Sequence, residues 1–334
     1  MKQFSRFSIV CLLLIVATPS FGRRVIATIP VGQAPTAVAV NPQTNTIYVS
    51  SPASNTLWVI DGPTNSVIAT LPMGSEPWSI WFYLPRNLVY VNNCGDQTVT
   101  IIENRTIKLK TVPISFVLGC NQEALAVVGK LLYVPDPVSN QIQVVNMDSL
   151  KVITEIPTPV TSTPFIVANP VSNLAYVAAD TFSDDSSSIV VIDTTTNTVV
   201  TTFHIEANAT IGSMAVDPEN NLLYVLNVPS NTSPAQVTVL DATTGAILGN
   251  TVPLGTGNEV FTLPKLHQVL VTGGKLPQGH KRIARSLVFL DADTFDVEGS
   301  IEVGQVPWGI AFNPVTQTIY VTNFQSNTVS VIGQ

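Results

Sequence analysis

A unit of four short β runs, repeated at a period in the forties, constrains this chain more than any other feature. Its clearest copy is the last, Ile301 to Gln334, where IEV, WGIAF, TIYVT and TVSVI are separated by turn chemistry at Gly-Gln-Val-Pro, Asn-Pro and Gln-Ser-Asn. An aromatic–Val pair marks each copy: Tyr48-Val49, Tyr90-Val91, Tyr133-Val134, Tyr176-Val177, Tyr224-Val225 and Tyr320-Val321, with the degenerate pair Leu270-Val271 filling the gap. The spacings between these seven anchors are 42, 43, 43, 48, 46 and 50 residues. Other positions recur in register. Asn41, Asn169, Asp217 and Asn313 each lie seven residues before an anchor and precede Pro, and runs after the anchors end in Ile60-Asp61, Ile102-Glu103, Ile192-Asp193, Leu240-Asp241 and Leu290-Asp291. Runs rich in Val, Ile, Thr and Tyr, bounded by Pro, Gly, Asn and Ser, read as strands. Four such runs per repeat of this length make a propeller blade. The expectation is an all-β, seven-bladed β-propeller with four antiparallel strands per blade. Dividing the chain into two domains by length would be wrong, because a propeller closes many repeats into one ring.

On these residues the chain resembles the YVTN-repeat family of seven-bladed β-propellers, and the four letters occur at Tyr320 to Asn323. The resemblance covers roughly residues 24–334. It implies an exported bacterial or archaeal protein, often of unassigned function. Blade 3 departs by lacking the Asn-Pro turn and blade 6 by lacking the Tyr.

Residues 1–22 read as a signal peptide. Lys2 and Arg6 give a basic start, Ile9 to Ala17 an apolar core too short to span a bilayer, and Ser20 and Gly22 a small-x-small cleavage pattern. A single propeller domain then spans 24–334. Export to the periplasm or the exterior, without a membrane anchor after cleavage, is expected, as is a monomer. Val25 to Ile29 (VIATI) resembles the fourth strand of a blade, as in Val67 to Leu71 (VIATL), whereas the chain ends in a third strand, Val329 to Ile332. The N-terminal strand is therefore expected to complete blade 7 and protect its open edge.

Hydrophobic residues make up 45% of the chain and charged ones only 11%, which supplies ample apolar surface for blade-to-blade packing. The formal charge is −7, or −7 − 2 = −9 once Lys2 and Arg6 leave with the signal. That balance disfavours a nucleic-acid partner, whose phosphates must be neutralised by Lys and Arg. Cys11 lies in the signal, leaving Cys94 and Cys120. Cys94 falls in the turn between the second and third strands of blade 2, and Cys120 in the connector from blade 2 to blade 3. Propeller topology puts both loops on one face, and export permits a disulfide between them. Their spacing fits no metal or thioredoxin-like motif.

The same topology collects the long insertions on that face, Asp180 to Ser188 in blade 4 and Gly273 to Arg285 in blade 6. Insertions in repeats often decorate the binding face. Positions twelve residues before the anchors should ring the channel mouth: Thr36, Trp78, Pro164, Gly212, Asn258 and Trp308, with Glu123 nearest in blade 3. Trp78 and Trp308 would either stack on a flat ligand or plug the channel. Nearby acids include Glu76, Asp136, Asp180, Asp184, Asp185, Glu206 and Glu259, but Asp184-Asp185 lacks the alternating ligands of an EF-hand loop. His280 beside Lys281 and Arg282 could make an anion site, with a solvated loop as the plainer reading. The histidines are only three, His204, His267 and His280, and no pair has metal-ligand spacing. No Gly-x-Ser-x-Gly nucleophile elbow or Cys-x-x-Cys-His haem site occurs.

The leading expectation is thus a non-catalytic binding or scaffold propeller whose loop face takes a protein, glycan or small-molecule partner, with no cofactor. The alternative, by analogy with seven-bladed lactonases and lyases, is an enzyme with a divalent metal at the channel mouth, for which Glu76, Glu123, Asn258 and Glu259 are the residues to test. A cofactor-carrying subunit ranks third.

Overall fold

The computed structural model describes residues 22–103, 108–116, 119–121, 125–158, 165–181, 186–205, 209–229, 234–250, 254, 256–274 and 284–334. Residues 1–21 of the signal segment lie outside these residues, as do Glu123, Pro164, Asp184, Asp185, Glu206, His280, Lys281 and Arg282.

Seven four-stranded antiparallel sheets form a propeller. Blade 1 holds strands Val38–Asn41, Thr46–Ser51, Thr56–Asp61 and Ser66–Pro72 in meander order. Blades 2 to 6 follow at 77–113, 126–157, 166–205, 209–250 and 256–302. Blade 7 combines Pro307–Asn313, Thr318–Asn323 and Thr328–Gly333 with the N-terminal strand Arg24–Pro30. That strand runs antiparallel to the last, from Arg24 opposite Gly333 to Pro30 opposite Thr328. The resemblance of VIATI to a fourth strand is thereby explained.

Seven apolar clusters lie one at each blade interface. Strand periodicity explains how one second strand feeds two of them. In blade 1, Ile47 and Val49 pack toward blade 7, while Tyr48 between them packs toward blade 2. The anchor tyrosines then reach across. Tyr90, Tyr176 and Tyr224 donate their hydroxyls to the carbonyls of Met147, Ala242 and Ala292, each in the last turn of the next blade. Tyr133 donates to Thr194 O in the same way, and Tyr320 to Asn65 Oδ1 of blade 1.

Two residues beyond the anchor, on the same face, a second donor fastens the inner strand or connector of the next blade. Ser50 Oγ donates to Trp78 O at 2.8 Å, Thr272 Oγ1 to Trp308 O at 2.9 Å and Thr322 Oγ1 to Thr36 O at 2.6 Å. Asn92 Nδ2 donates to Gly119 O at 2.8 Å. Burying a carbonyl costs free energy unless it is bonded, so these contacts hold the blades in register as well as in contact.

The turns account for the repeated Asn and Asp. Asn41, Asn169, Asp217 and Asn313 accept backbone N–H groups two residues ahead. Asn45, Asn87, Asn173 and Asn221 take left-handed backbone, with φ of 52–57°. Blade 3, which has no Asn-Pro turn, uses Gly129 at φ 60° instead. The Thr195 hydroxyl on Asp193 and the Thr244 and Thr294 N–H groups on Asp241 and Asp291 hold those carboxyls below their ordinary value.

Two outcomes follow. Deleting residues 24–30 removes buried Ile29 and bares an edge of blade 7. It should lower unfolding free energy by at least about 2 kcal/mol, read by urea denaturation; an unchanged midpoint would refute strand-mediated closure. Burial raises the phenol pKa of Tyr90, Tyr133 and Tyr176 to about 12. Because the unfolded phenols ionise near pH 10, the stability they carry is complete below pH 10 and is lost as pH climbs to about 12. Tyrosinate absorbance and loss of strand circular dichroism should rise together in that window. A titration of most tyrosines near pH 10 in an intact fold would contradict this.

Candidate functional site

Connectors between blades and the turns joining second to third strands share one face of the ring. Three connectors repeat a pattern there: Gly32-Gln33-Ala34-Pro35, Gly74-Ser75-Glu76-Pro77 and Gly304-Gln305-Val306-Pro307. The residue before each proline is left-handed, Ala34 at φ 53°, Glu76 at 54° and Val306 at 52°. Turn side chains and backbone hold them. Asn327 Oδ1 accepts from Ala34 N, Asn55 Oδ1 from Glu76 N, and Ala284 O from Val306 N, all at 2.9 Å. The chain then enters the inner strand, placing Trp78 and Trp308 at its start.

These two indoles, from blades 2 and 7, meet across the inner edge of blade 1. Their ring centroids are 6.5 Å apart at 64°, an edge-to-face contact. Phe324, from the second-to-third-strand turn of blade 7, extends the group at 5.4 Å from Trp308. All three rings are partly buried. Tryptophans placed only by their register are thus in mutual contact, and Phe324 is the member that the register argument missed. A loop aromatic directly after the Asn of the last anchor was the available signal.

The other predicted residues divide. Asn258 serves the scaffold, its Nδ2 donating to Pro307 O at 2.7 Å. Glu259 is buried, 8% exposed, and its Oε2 accepts from Ile310 N at 3.1 Å, tying blade 6 to blade 7. It also lines a channel cavity of about 400 Å³ together with Thr262 and apolar groups such as Ala126, Ile166, Met214 and Phe261. His204 Nδ1 contacts Ser188 Oγ at 3.2 Å, and His267 lies near Asp293 in an exposed turn of the opposite face.

Cys94 and Cys120 form the disulfide that loop placement suggested, with Cα atoms 5.4 Å apart. The Glu76 carboxylate rests on it, Oε2 lying 3.7 Å from Cys94 Sγ and 3.9 Å from Cys120 Sγ. These are contacts, not hydrogen bonds, because neither bridged sulfur carries a proton. Among the described residues, Glu76, Cys94 and Cys120 are the one trio of His, Cys, Asp or Glu side chains close enough to share an ion. Carboxylates do not converge at the channel mouth among those residues: Glu76 faces sulfur and Glu259 a backbone N–H.

The geometry defines a seven-bladed β-propeller with an aromatic group at its mouth and a disulfide beside it. The chain is similar in structure to Kuenenia stuttgartiensis hydrazine synthase, with a TM-score of 0.74 and 17% identity, over 92% of this chain and 96% of that one. At that identity the likeness is one of fold. No protein-family model and no curated protein matches the chain. The disulfide suits an oxidising, extracytoplasmic setting.

Replacing both cysteines with serine releases a constraint across 26 residues. The chain-entropy model puts the loss at about 3.5 kcal/mol, read as a lower urea midpoint than the oxidised protein. Equal midpoints would show that the bridge adds no stability.

Proposed function

We propose that this is an exported, non-catalytic binding propeller of YVTN-repeat type, acting in the periplasm or outside the cell as a monomer without a membrane anchor. Its loop face takes a ligand with a flat apolar surface, a sugar ring or planar small molecule, or an equivalent side chain of a protein partner. The observation that carries this reading is the contact of Trp78, Trp308 and Phe324 at the mouth. Aromatic faces bind flat partners through apolar area and quadrupole alignment, at little cost in side-chain entropy. The rigid ring holds the rings in place, and function on such scaffolds concentrates in loops. Acidic net charge argues against a nucleic-acid partner, and no helix among the described residues is long and apolar enough to cross a membrane.

The test uses protein exported to a host periplasm and never denatured, examined by native mass spectrometry and on an array of oligosaccharides and peptides. Retained organic mass, or array binding, is expected, and Trp308→Ala should weaken it about tenfold, the size of one lost aromatic contact. A bare mass with no array binding, or binding indifferent to both Trp78→Ala and Trp308→Ala, would overturn the proposal.

A further inference from the structure

Glu76 has no structural reason to lie on the disulfide. It is an exposed carboxylate on a left-handed residue, and a carboxylate gains little from two uncharged sulfurs. Its position is nonetheless fixed from several sides. Its N–H donates to Asn55 Oδ1, and its carbonyl accepts the Cys94 N–H at 3.0 Å. The neighbouring Gly95 N–H donates to Ser75 O at 3.0 Å, and a Cβ at Gly95 would collide with the Ser75 hydroxyl and crowd Glu76 Cγ. The Glu76 backbone is therefore fixed, and Gly95 lets the turn carrying Cys94 pack close against its side chain.

The two cysteines are also held independently of the bond between them. Cys94 is fastened by its N–H to Glu76. The connector carrying Cys120 is fastened on both sides, by Asn92 Nδ2 on Gly119 O at 2.8 Å and by Ser79 Oγ on Asn121 O at 2.5 Å. None of these bonds depends on the disulfide.

We propose that reduction of Cys94–Cys120 converts this cluster into a site for a thiophilic divalent cation of the Zn²⁺ class, with two thiolates and the Glu76 carboxylate as ligands. A tetrahedral site with Zn–S near 2.3 Å and Zn–O near 2.0 Å requires S···O edges of about 3.5 Å and an S···S edge of about 3.8 Å. The carboxylate oxygen is already 3.7 and 3.9 Å from the sulfurs. Only the sulfurs must part, by about 1.7 Å from a bonded pair, which side-chain rotation supplies. Two thiolates select a borderline-soft ion over Mg²⁺ or Ca²⁺. With three protein ligands, the fourth position stays open to water.

The chemistry balances with a dithiol as reductant. Its thiolate attacks exposed Cys120 Sγ, Cys94 leaves as a thiolate, and the second thiol closes the mixed disulfide, so that the reductant departs as a cyclic disulfide and Cys120 is released. Two electrons and two protons move to the protein. The cation then displaces those two protons from the thiols as it binds.

The test reduces the folded protein with a water-soluble phosphine, removes the phosphine anaerobically, and titrates Co²⁺ as a spectroscopic probe, followed by Zn²⁺. One Co²⁺ per chain is expected, with sulfur-to-cobalt charge-transfer absorption that Zn²⁺ abolishes. The oxidised protein and the Cys94→Ser/Cys120→Ser variant should show none. Glu76→Gln, which keeps the shape and the backbone bonds, should weaken Co²⁺ binding at least tenfold. The proposal is overturned if the reduced protein binds no Co²⁺, if near-ultraviolet circular dichroism shows that reduction unfolds it, or if Glu76→Gln binds as tightly as the parent.

Discussion

Everything in this ring depends on how one blade grips the next. A four-stranded sheet has two apolar faces and cannot bury either alone, so each blade is stable only between neighbours. The period-2 geometry of the second strand assigns the work. In Tyr320-Val321-Thr322-Asn323 the tyrosine faces blade 1, where its hydroxyl reaches Asn65, while Val321 packs back toward blade 6. Thr322 then faces blade 1 again and bonds Thr36 O, and Asn323 turns to bond Thr328 and Ser330 of its own blade. Four consecutive residues thus secure both faces of one sheet and its next turn. The same pressure explains why Leu270 can stand in for tyrosine in blade 6: it keeps the apolar contact with blade 7 and gives up only the hydroxyl bond.

That division of labour is why the fold was legible. Repeated anchors, turn residues and the VIATI match reflect constraints that act inside one repeat or between adjacent repeats, and such constraints leave a periodic mark. The site lacked one. Nothing periodic marks Phe324 as a partner of Trp308, because its place depends on the path of a single turn. Glu259 and Asn258 looked like mouth residues by register, yet each is occupied in binding blade 6 to blade 7. Register fixes where a residue enters a strand; it does not say whether the side chain serves the scaffold or faces a ligand. The Cys94–Cys120 pairing was legible because topology alone puts the two loops side by side, whereas Glu76 against the sulfurs needs the left-handed turn before Pro77, which a non-glycine residue does not advertise.

Those left-handed turns show where the ring tolerates strain. Ala34, Glu76 and Val306 occupy backbone that non-glycine residues seldom adopt, and for a β-branched residue such as Val306 it is a true outlier. Such residues cost about 1–3 kcal/mol each and persist only where surroundings over-determine them. Here the surroundings are the connector bonds to Asn327, Asn55 and Ala284, together with Phe324 N, which donates to Val306 O. Left-handed Asn residues in the opposite turns need no such explanation, since Asn accepts that conformation readily, whereas Leu150 of blade 3 and Phe295 of blade 6 carry the same strain there.

The three strained connectors adjoin the aromatic group. All three connectors lie between blades 6 and 2, the sector that also carries Trp78, Trp308, Phe324 and the Glu76–disulfide cluster. Each connector leads into an inner strand, and two of those strands carry Trp78 and Trp308 at their start. Strained backbone and aromatic contact are thus neighbours in the chain: Glu76 lies two residues before Trp78 and Val306 two before Trp308, so the bonds that hold each left-handed residue also fix the start of the strand that carries its indole.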